Sequence, residues 1–121
     1  MPLSDLFSYK ITENSPEELS AELSLNIDHD IYKGHFPENP VTPGVCLVEI
    51  TRQILSSVLK CELILRKAKD IKYRSAIIPP FGSGIIINIK YHKTDEGIET
   101  SCTISENYNI YTKLRGVFSE E

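Results

Sequence analysis

Apolar and polar residues alternate along several short stretches of this chain, and one longer stretch is apolar on nearly every side. The clearest alternation covers residues 19–28, where Leu19, Ala21 and Leu23 fall on one face with polar residues between them. A period of two is typical of a strand with one buried and one solvated face. The same pattern and its turn residues predict further strands at residues 6–11, 70–75, 84–92, 99–105 and 110–118.

The longer stretch, residues 45–59, reads VCLVEITRQILSSVL and predicts a helix that is buried almost all round. Thr42 is expected to be its N-cap, with Pro43 at the first helical position. One such helix beside antiparallel strands predicts an α+β fold, in which a curled sheet wraps around one long central helix. So small a sheet cannot cover every side of the helix, and this favours a second copy of the chain.

Composition and charge exclude several classes of protein. The 121 residues suffice for a single domain, taken as residues 1–121, and the net charge of −4 argues against a nucleic-acid binder. No apolar run approaches the roughly 20 residues of a membrane span, and the N-terminus MPLSDLFSYK does not resemble a signal peptide. Three scattered cysteines suit a reducing cytoplasm and match neither a disulfide framework nor a zinc site, so we expect no metal and no cofactor.

The residues that suggest chemistry lie where a proline-rich loop enters this helix. Pro37, Pro40 and Pro43 stiffen the loop that carries His35, whose pKa range suits a general base. Glu49 lies one turn into the helix, where a desolvated carboxyl would have a raised pKa and could remain protonated as an acid. The free N–H groups near Gly44 and Val45 suit an oxygen that gains negative charge. Together these groups suit proton abstraction beside a carbonyl with loss of a hydroxyl group.

Structural readings of the same residues stay open. His35 could be a loop histidine bonded to backbone, and Glu49 could form a salt bridge to Arg52 or Arg74. Cys46, near a helix N-terminus, could have a lowered pKa, although free cysteine is usually buried packing. A possible metal cluster matches no standard ligand spacing (His29, Asp30, His35, Glu38). A set of cations usually forms a solvated face, and it could also dock an acidic partner (Lys60, Arg66, Lys67, Lys69, Lys72, Arg74).

The stretch GHFPENPVTPGVCLVEITRQ closely resembles the signature of the β-hydroxyacyl-acyl carrier protein dehydratases, which have the hotdog fold. That signature has the form GHFPxxPxxPGVLxxE, followed by a glutamine four residues on. Fourteen positions separate His35 from Glu49, as in the family, and Gln53 falls at the expected place. Residues 71–79 are similar, more weakly, to the family's later K-F/Y-R-x-P-V-x-P segment. The resemblance extends loosely over residues 6–118.

The resemblance implies a homodimer or higher homo-oligomer with each active site between two chains. His35 of one chain would take the C2 proton of a 3-hydroxyacyl thioester held by an acyl carrier protein. Glu49 of the other chain would protonate the leaving C3 hydroxyl, or hold a water that does. The implied substrate-binding positions are Phe36, Gly44, Val45 and Gln53, with the Gly44 N–H receiving the thioester oxygen.

Glutamate at position 49, where the isomerising branch of the family has aspartate, favours dehydration to the trans-2-enoyl thioester, in fatty-acid or polyene-type biosynthesis. Pro80-Phe81 and Arg52 depart from the usual pattern and suggest a specialised pathway enzyme. The alternatives are an acyl-thioester hydrolase on the same fold and a non-catalytic, carrier-binding partner subunit.

Overall fold

The computed structural model describes residues 5–34, 42–77, 84–107 and 109–120. Two helices and six strands occur in these ranges. Their bounds, in chain order, are β1 (Phe7–Ser15), β2 (Glu18–Leu25), α1 (Ile31–Gly34), α2 (Gly44–Leu59), β3 (Leu63–Tyr73), β4 (Ile85–Thr94), β5 (Gly97–Glu106) and β6 (Asn109–Glu120).

The six strands form one antiparallel sheet in the order β1-β2-β4-β5-β6-β3. Every strand pairs with a neighbour in hairpin fashion except β3, which follows α2 and joins the sheet beside β6. β1 and β3 therefore stand at the two ends of the strand order. The predicted α+β arrangement, with a curled antiparallel sheet and one long helix, is confirmed.

Alternating residues of the strands turn their apolar side chains toward α2 and form the core. Thr51 of α2 shows how closely helix and sheet approach, since its hydroxyl donates to the Leu47 carbonyl at 2.9 Å and lies 3.4 Å from the Cys102 sulfur of β5. The fully or nearly fully buried strand residues include Leu19, Ala21, Leu23, Ile85, Ile87, Ile89, Ile104 and Phe118.

In the single chain helix α2 buries one face rather than its whole circumference, which agrees with the expectation that so small a sheet cannot cover every side of the helix. Val45 is 74% exposed because the sheet covers the helix from one side only. The buried face consists of Cys46, Leu47, Ile50, Thr51, Ile54, Leu55 and Ser56.

Strand ends differ from the predicted ones where side chains or bulges intervene. β2 ends at Leu25 and not at residue 28, because the Asn26 side chain accepts a hydrogen bond from the Asp28 N–H at 3.0 Å and starts a turn. β1 continues to Ser15, beyond the predicted end at residue 11, and a turn at residues 16–17 joins it to β2. The strands predicted at 84–92, 99–105 and 110–118 are confirmed, with their ends shifted by at most two residues.

The predicted strand at 70–75 is the end of a longer strand, β3, which begins at Leu63. Two register shifts, between Leu65 and Lys67 and between Ala68 and Asp70, interrupt its pairing with β6. A bulge adds a residue to one strand and resets the alternation of its side chains. The period-two pattern is therefore lost over the first half of β3.

Candidate active site

Helix α2 begins one residue later than predicted. Pro43 is the N-cap, with φ −61° and ψ 140°, and it makes no side-chain capping hydrogen bond. Thr42, the expected N-cap, instead lies buried with its hydroxyl 3.0 Å from the Tyr32 hydroxyl. Because proline has no side-chain acceptor for N–H groups, the first amide groups of α2 keep the partial positive charge of a helix start.

Gly44 leaves room for an aromatic ring beside the helix start. A Cβ built on Gly44 would lie 2.5 Å from the Cε1 and Cζ atoms of Tyr73, at the end of β3. Only a residue without a side chain fits there while the ring keeps its place. The expected role of Gly44, open access to the helix amides, is thus accompanied by a packing role toward Tyr73.

A cleft of about 470 Å³ adjoins this contact, between the start of α2, the end of β3 and residues 74–77. Gly44, Val45, Tyr73 and Ala76 line it, together with Thr112 of β6. The Thr112 hydroxyl oxygen is buried and has no hydrogen-bond partner among the residues that the structure describes. Thr112 was missed in the sequence analysis, because its position is set by the pairing of β6 with β3 and β5.

One helical turn further on, Glu49 accepts three short hydrogen bonds. Arg52 donates from Nε to Oε1 at 2.7 Å and from Nη2 to Oε2 at 2.8 Å. The Gln53 amide donates to Oε2 at 2.7 Å. Glu49 and Gln53, which the sequence placed four residues apart on one face, are therefore in direct contact. Of the two arginines considered as salt-bridge partners of Glu49, the structure pairs Arg52 with it and not Arg74.

These hydrogen bonds set the charge of Glu49. The hydrogen bond from Arg52 lowers the pKa of the Glu49 carboxyl, burial opposes that effect, and the Gln53 hydrogen bond and the Arg52 charge lower the pKa further. The net shift is downward, so the expectation of a raised pKa and a protonated Glu49 is wrong. The reason is that the carboxyl is paired and only partly desolvated, with its side chain 33% exposed.

His35 and Phe36, the other predicted site residues, lie outside the described residues, as does residue 38 of the possible metal cluster. His29 is buried, and its Nδ1 accepts a hydrogen bond from the Ile31 N–H at 3.0 Å, which places it in the turn that leads into α1. Within the described ranges no group of histidine, cysteine, aspartate and glutamate side chains could hold a metal ion.

The remaining candidates behave as packing or surface. Burial raises the pKa of the Cys46 thiol, and the Glu49 charge raises it further, which disfavours a thiolate nucleophile. Of the clustered cations, Lys69 pairs with Glu99 at 2.8 Å, and Lys72 lies 3.7 Å from Asp70. No helix in the described part of the chain is long and apolar enough to cross a membrane.

Comparison with known proteins identifies the family. Residues 11–113 match the ApeI-like family, whose description is ApeI dehydratase. This chain belongs to the ApeI-like dehydratase family. The family assignment agrees with the resemblance to β-hydroxyacyl-acyl carrier protein dehydratases that the GHFPENPVTPGV motif carries.

Curated relatives of this family member are 3-hydroxyacyl-[acyl-carrier-protein] dehydratases named FabZ. The chain is 34% identical over 82 residues to the FabZ of Lactiplantibacillus plantarum, covering 61% of this chain and 56% of that one. It is 29% identical over 108 residues to the FabZ of Levilactobacillus brevis, covering 83% and 72% respectively.

Solved structures confirm the hotdog fold. The dehydratase heterocomplex ApeI:P from Xenorhabdus doucetiae contains a chain that superposes with a TM-score of 0.74 at 14% identity, covering 93% of this chain and 99% of that one. An uncharacterized protein from Erwinia carotovora subsp. atroseptica superposes with a TM-score of 0.68 at 19% identity, covering 93% of both chains. At such identities the likeness concerns the fold alone.

Proposed function

We propose that this ApeI-like family member dehydrates a 3-hydroxyacyl thioester, carried by an acyl carrier protein, to the trans-2-enoyl thioester. His35 takes the C2 proton as general base. The electron pair of the C2–H bond forms the C2=C3 double bond, and the C3 hydroxyl leaves as water after it takes a proton either from Glu49 or from a water that Glu49 holds. The backbone N–H groups of Gly44 and Val45 donate hydrogen bonds to the thioester oxygen, on which negative charge develops.

The observation that carries the proposal is the start of α2. There an uncapped helix terminus, a glycine at its first position and a hydrogen-bonded Glu49–Gln53 pair lie within ten residues of one another. The helix terminus suits an oxyanion, and a held carboxylate within the next two turns suits the leaving hydroxyl. Both groups occur in a chain that matches the dehydratase family over most of its length.

The second part of the proposal is that two copies complete each site. Val45 and Tyr73 are exposed beside the candidate site in the single chain, at 74% and 53%. Strand β3 lies at one end of the sheet with eleven residues available for pairing. A homodimer that covers this side would bury both apolar side chains and supply the His35 and Glu49 of each site from different copies.

The test is turnover of a panel of 3-hydroxyacyl carrier substrates, followed by enoyl absorbance and by mass spectrometry of the product for loss of one water. His35→Ala and Glu49→Ala should each lower the rate by about 10²–10⁴-fold. His92→Ala and Glu96→Ala are matched controls, because both are exposed residues of the same types and lie outside the proposed machinery.

Wild-type rates in either site variant would refute the assigned roles. A parallel thiol reagent separates the reactions, because a hydrolase on this fold would release free carrier thiol and form no enoyl product. Sedimentation of the purified chain tests the dimer, and a monomer at assay concentration that still turns over would refute the shared site.

A further inference from the structure

Arg52 connects the candidate catalytic carboxylate to the sheet. Its Nε and Nη2 atoms donate to the two oxygens of Glu49, and its Nη1 donates to the Leu63 carbonyl at the start of β3, at 2.9 Å. A weaker contact joins Nη1 to the Glu62 carboxylate at 3.4 Å. The guanidinium is thus held at both ends, by α2 on one side and by backbone of the sheet on the other.

This arrangement restricts the protonation state of Glu49. Each carboxylate oxygen faces a guanidinium N–H, and a guanidinium has donors only and does not lose its proton in proteins. A proton on either oxygen would remove the negative charge that attracts the guanidinium and would weaken both charge-assisted hydrogen bonds of the bidentate pair. Gln53 can present either of its amide atoms, so the restriction comes from Arg52.

The geometry points to Arg52 as a positioning residue that keeps Glu49 a carboxylate, so that the leaving C3 hydroxyl takes its proton from a water which Glu49 orients, and not from Glu49 itself. This inference rests on the proposed function and selects one of its two routes. It also assigns a role to a residue at which the chain departs from the usual family pattern.

The proton balance closes with one solvent water. The C3–O bond breaks with its electron pair on oxygen, and the oriented water donates a proton to that oxygen, which departs as water. The hydroxide left at Glu49 then receives the proton that the general base took from C2. One water is released per turnover, and both side chains end in their starting states.

The charged groups around Glu49 are few among the described residues. Arg52 and the Cys46 thiol lie on its own helix, and the raised pKa of Cys46 keeps that thiol neutral. From the sheet side, Glu62 reaches Glu49 only through Arg52. Arg52 is therefore the cation that decides the ionisation of Glu49 in this part of the chain.

The experiment measures the Glu49 carboxyl directly, by carbon-detected NMR titration of the full chain, together with kcat at neutral pH. Arg52→Gln should raise the titration midpoint of Glu49 and lower kcat about 10- to 100-fold with a smaller change in KM, since a hydrogen bond to a charged group is lost. Arg52→Lys keeps the charge without the paired donors and should rescue part of both effects. Glu96→Gln, at an exposed glutamate in the turn between β4 and β5, is the control and should change neither.

A second variant distinguishes the two proton routes. Glu49→Gln can still hydrogen-bond a water but cannot act as an acid, so it should retain more activity than Glu49→Ala. Either of two results would overturn the inference: an unmoved Glu49 titration in Arg52→Gln, or a kcat that rises in that variant because more of the carboxyl is protonated. Absence of enoyl product in the wild-type protein would refute the proposed function alone, since the NMR titration still decides the role of Arg52.

Discussion

The contact between Gly44 and Tyr73 predicts that Gly44→Ala destabilises the wild-type protein but does not destabilise a Tyr73→Ala variant. A double-mutant cycle measures this difference. Gly44→Ala places a Cβ 2.5 Å from two ring carbons and 2.9 Å from the hydroxyl oxygen of Tyr73. Carbon atoms in ordinary contact are about 3.5–4.0 Å apart, so the ring must move by roughly 1 Å or swing away. In the single chain the ring lies at the end of β3 and is 53% exposed, so there it can swing into solvent without disturbing the core.

The cost follows from the area that the ring would lose. A tyrosine buries about 200 Å² when fully covered, so about half of that, or ~100 Å², is buried here. At ~25 cal/mol per Å² its loss costs at most about 2.5 kcal/mol. Alanine in a helix is better than glycine by up to about 1 kcal/mol. Gly44→Ala should therefore destabilise the protein by up to about 1.5 kcal/mol.

In a Tyr73→Ala background the clash is absent and only the helix preference remains. Gly44→Ala should then be neutral or stabilising by up to about 1 kcal/mol. Urea denaturation of the four proteins, at one fixed protomer concentration, measures the cycle. Equal destabilisation by Gly44→Ala in both backgrounds would show that Tyr73 does not pack on the helix start and that the glycine serves another purpose.

Two further outcomes follow from the geometry. Gly97→Ala should lower the free energy of unfolding by about 2–4 kcal/mol, because φ is +137° and a Cβ would lie 2.5 Å from the Phe118 carbonyl oxygen. Gly84→Ala has open space around its Cβ at φ +105°, so it should lower that free energy only by the cost of the backbone conformation, about 1–2 kcal/mol. Equal values for the two variants in chemical denaturation would contradict the clash at Gly97. The lowered pKa of Glu49 stabilises the fold above the unfolded-state pKa of glutamate, about 4.3, and that stabilisation is lost as pH falls through the folded-state pKa. Wild type should therefore lose stability relative to Glu49→Gln on acidification below about pH 4.3, and a difference that does not change with pH would contradict the ionised pair.

Most of the fold could be predicted because strands with one buried face carry a clear period of two. Residues 19, 21 and 23 show it in the sequence and are buried in the structure. The first half of β3 could not be predicted, since two bulges reset its alternation and charged residues occupy its exposed positions. Bulges depend on the partner strand, and no local pattern in β3 alone encodes β6.

The sequence predicted which described residues of the site lie together, but it did not predict the protonation state of Glu49. The spacing of Glu49 and Gln53 placed them on one face, and the structure joins them at 2.7 Å. The direction of the Glu49 pKa shift was predicted wrongly, because the sequence suggested desolvation and did not show which cation would reach the carboxyl. The choice of Arg52 depends on the Leu63 carbonyl, which holds the guanidinium only once β3 has joined the sheet.

The partial exposure of Arg52 and Glu49 in the single chain helps to explain why Glu49 needs a paired cation. In the single chain the Arg52 and Glu49 side chains are 24% and 33% exposed, and water weakens an ion pair at such positions. If a second copy covers this side of α2, as proposed, the pair loses that water and its attraction strengthens as the local dielectric constant falls. An unpaired Glu49 in the same place would respond by taking up a proton. Arg52 thus allows the carboxylate to be enclosed with substrate while remaining charged, which is the condition that water-mediated proton delivery requires.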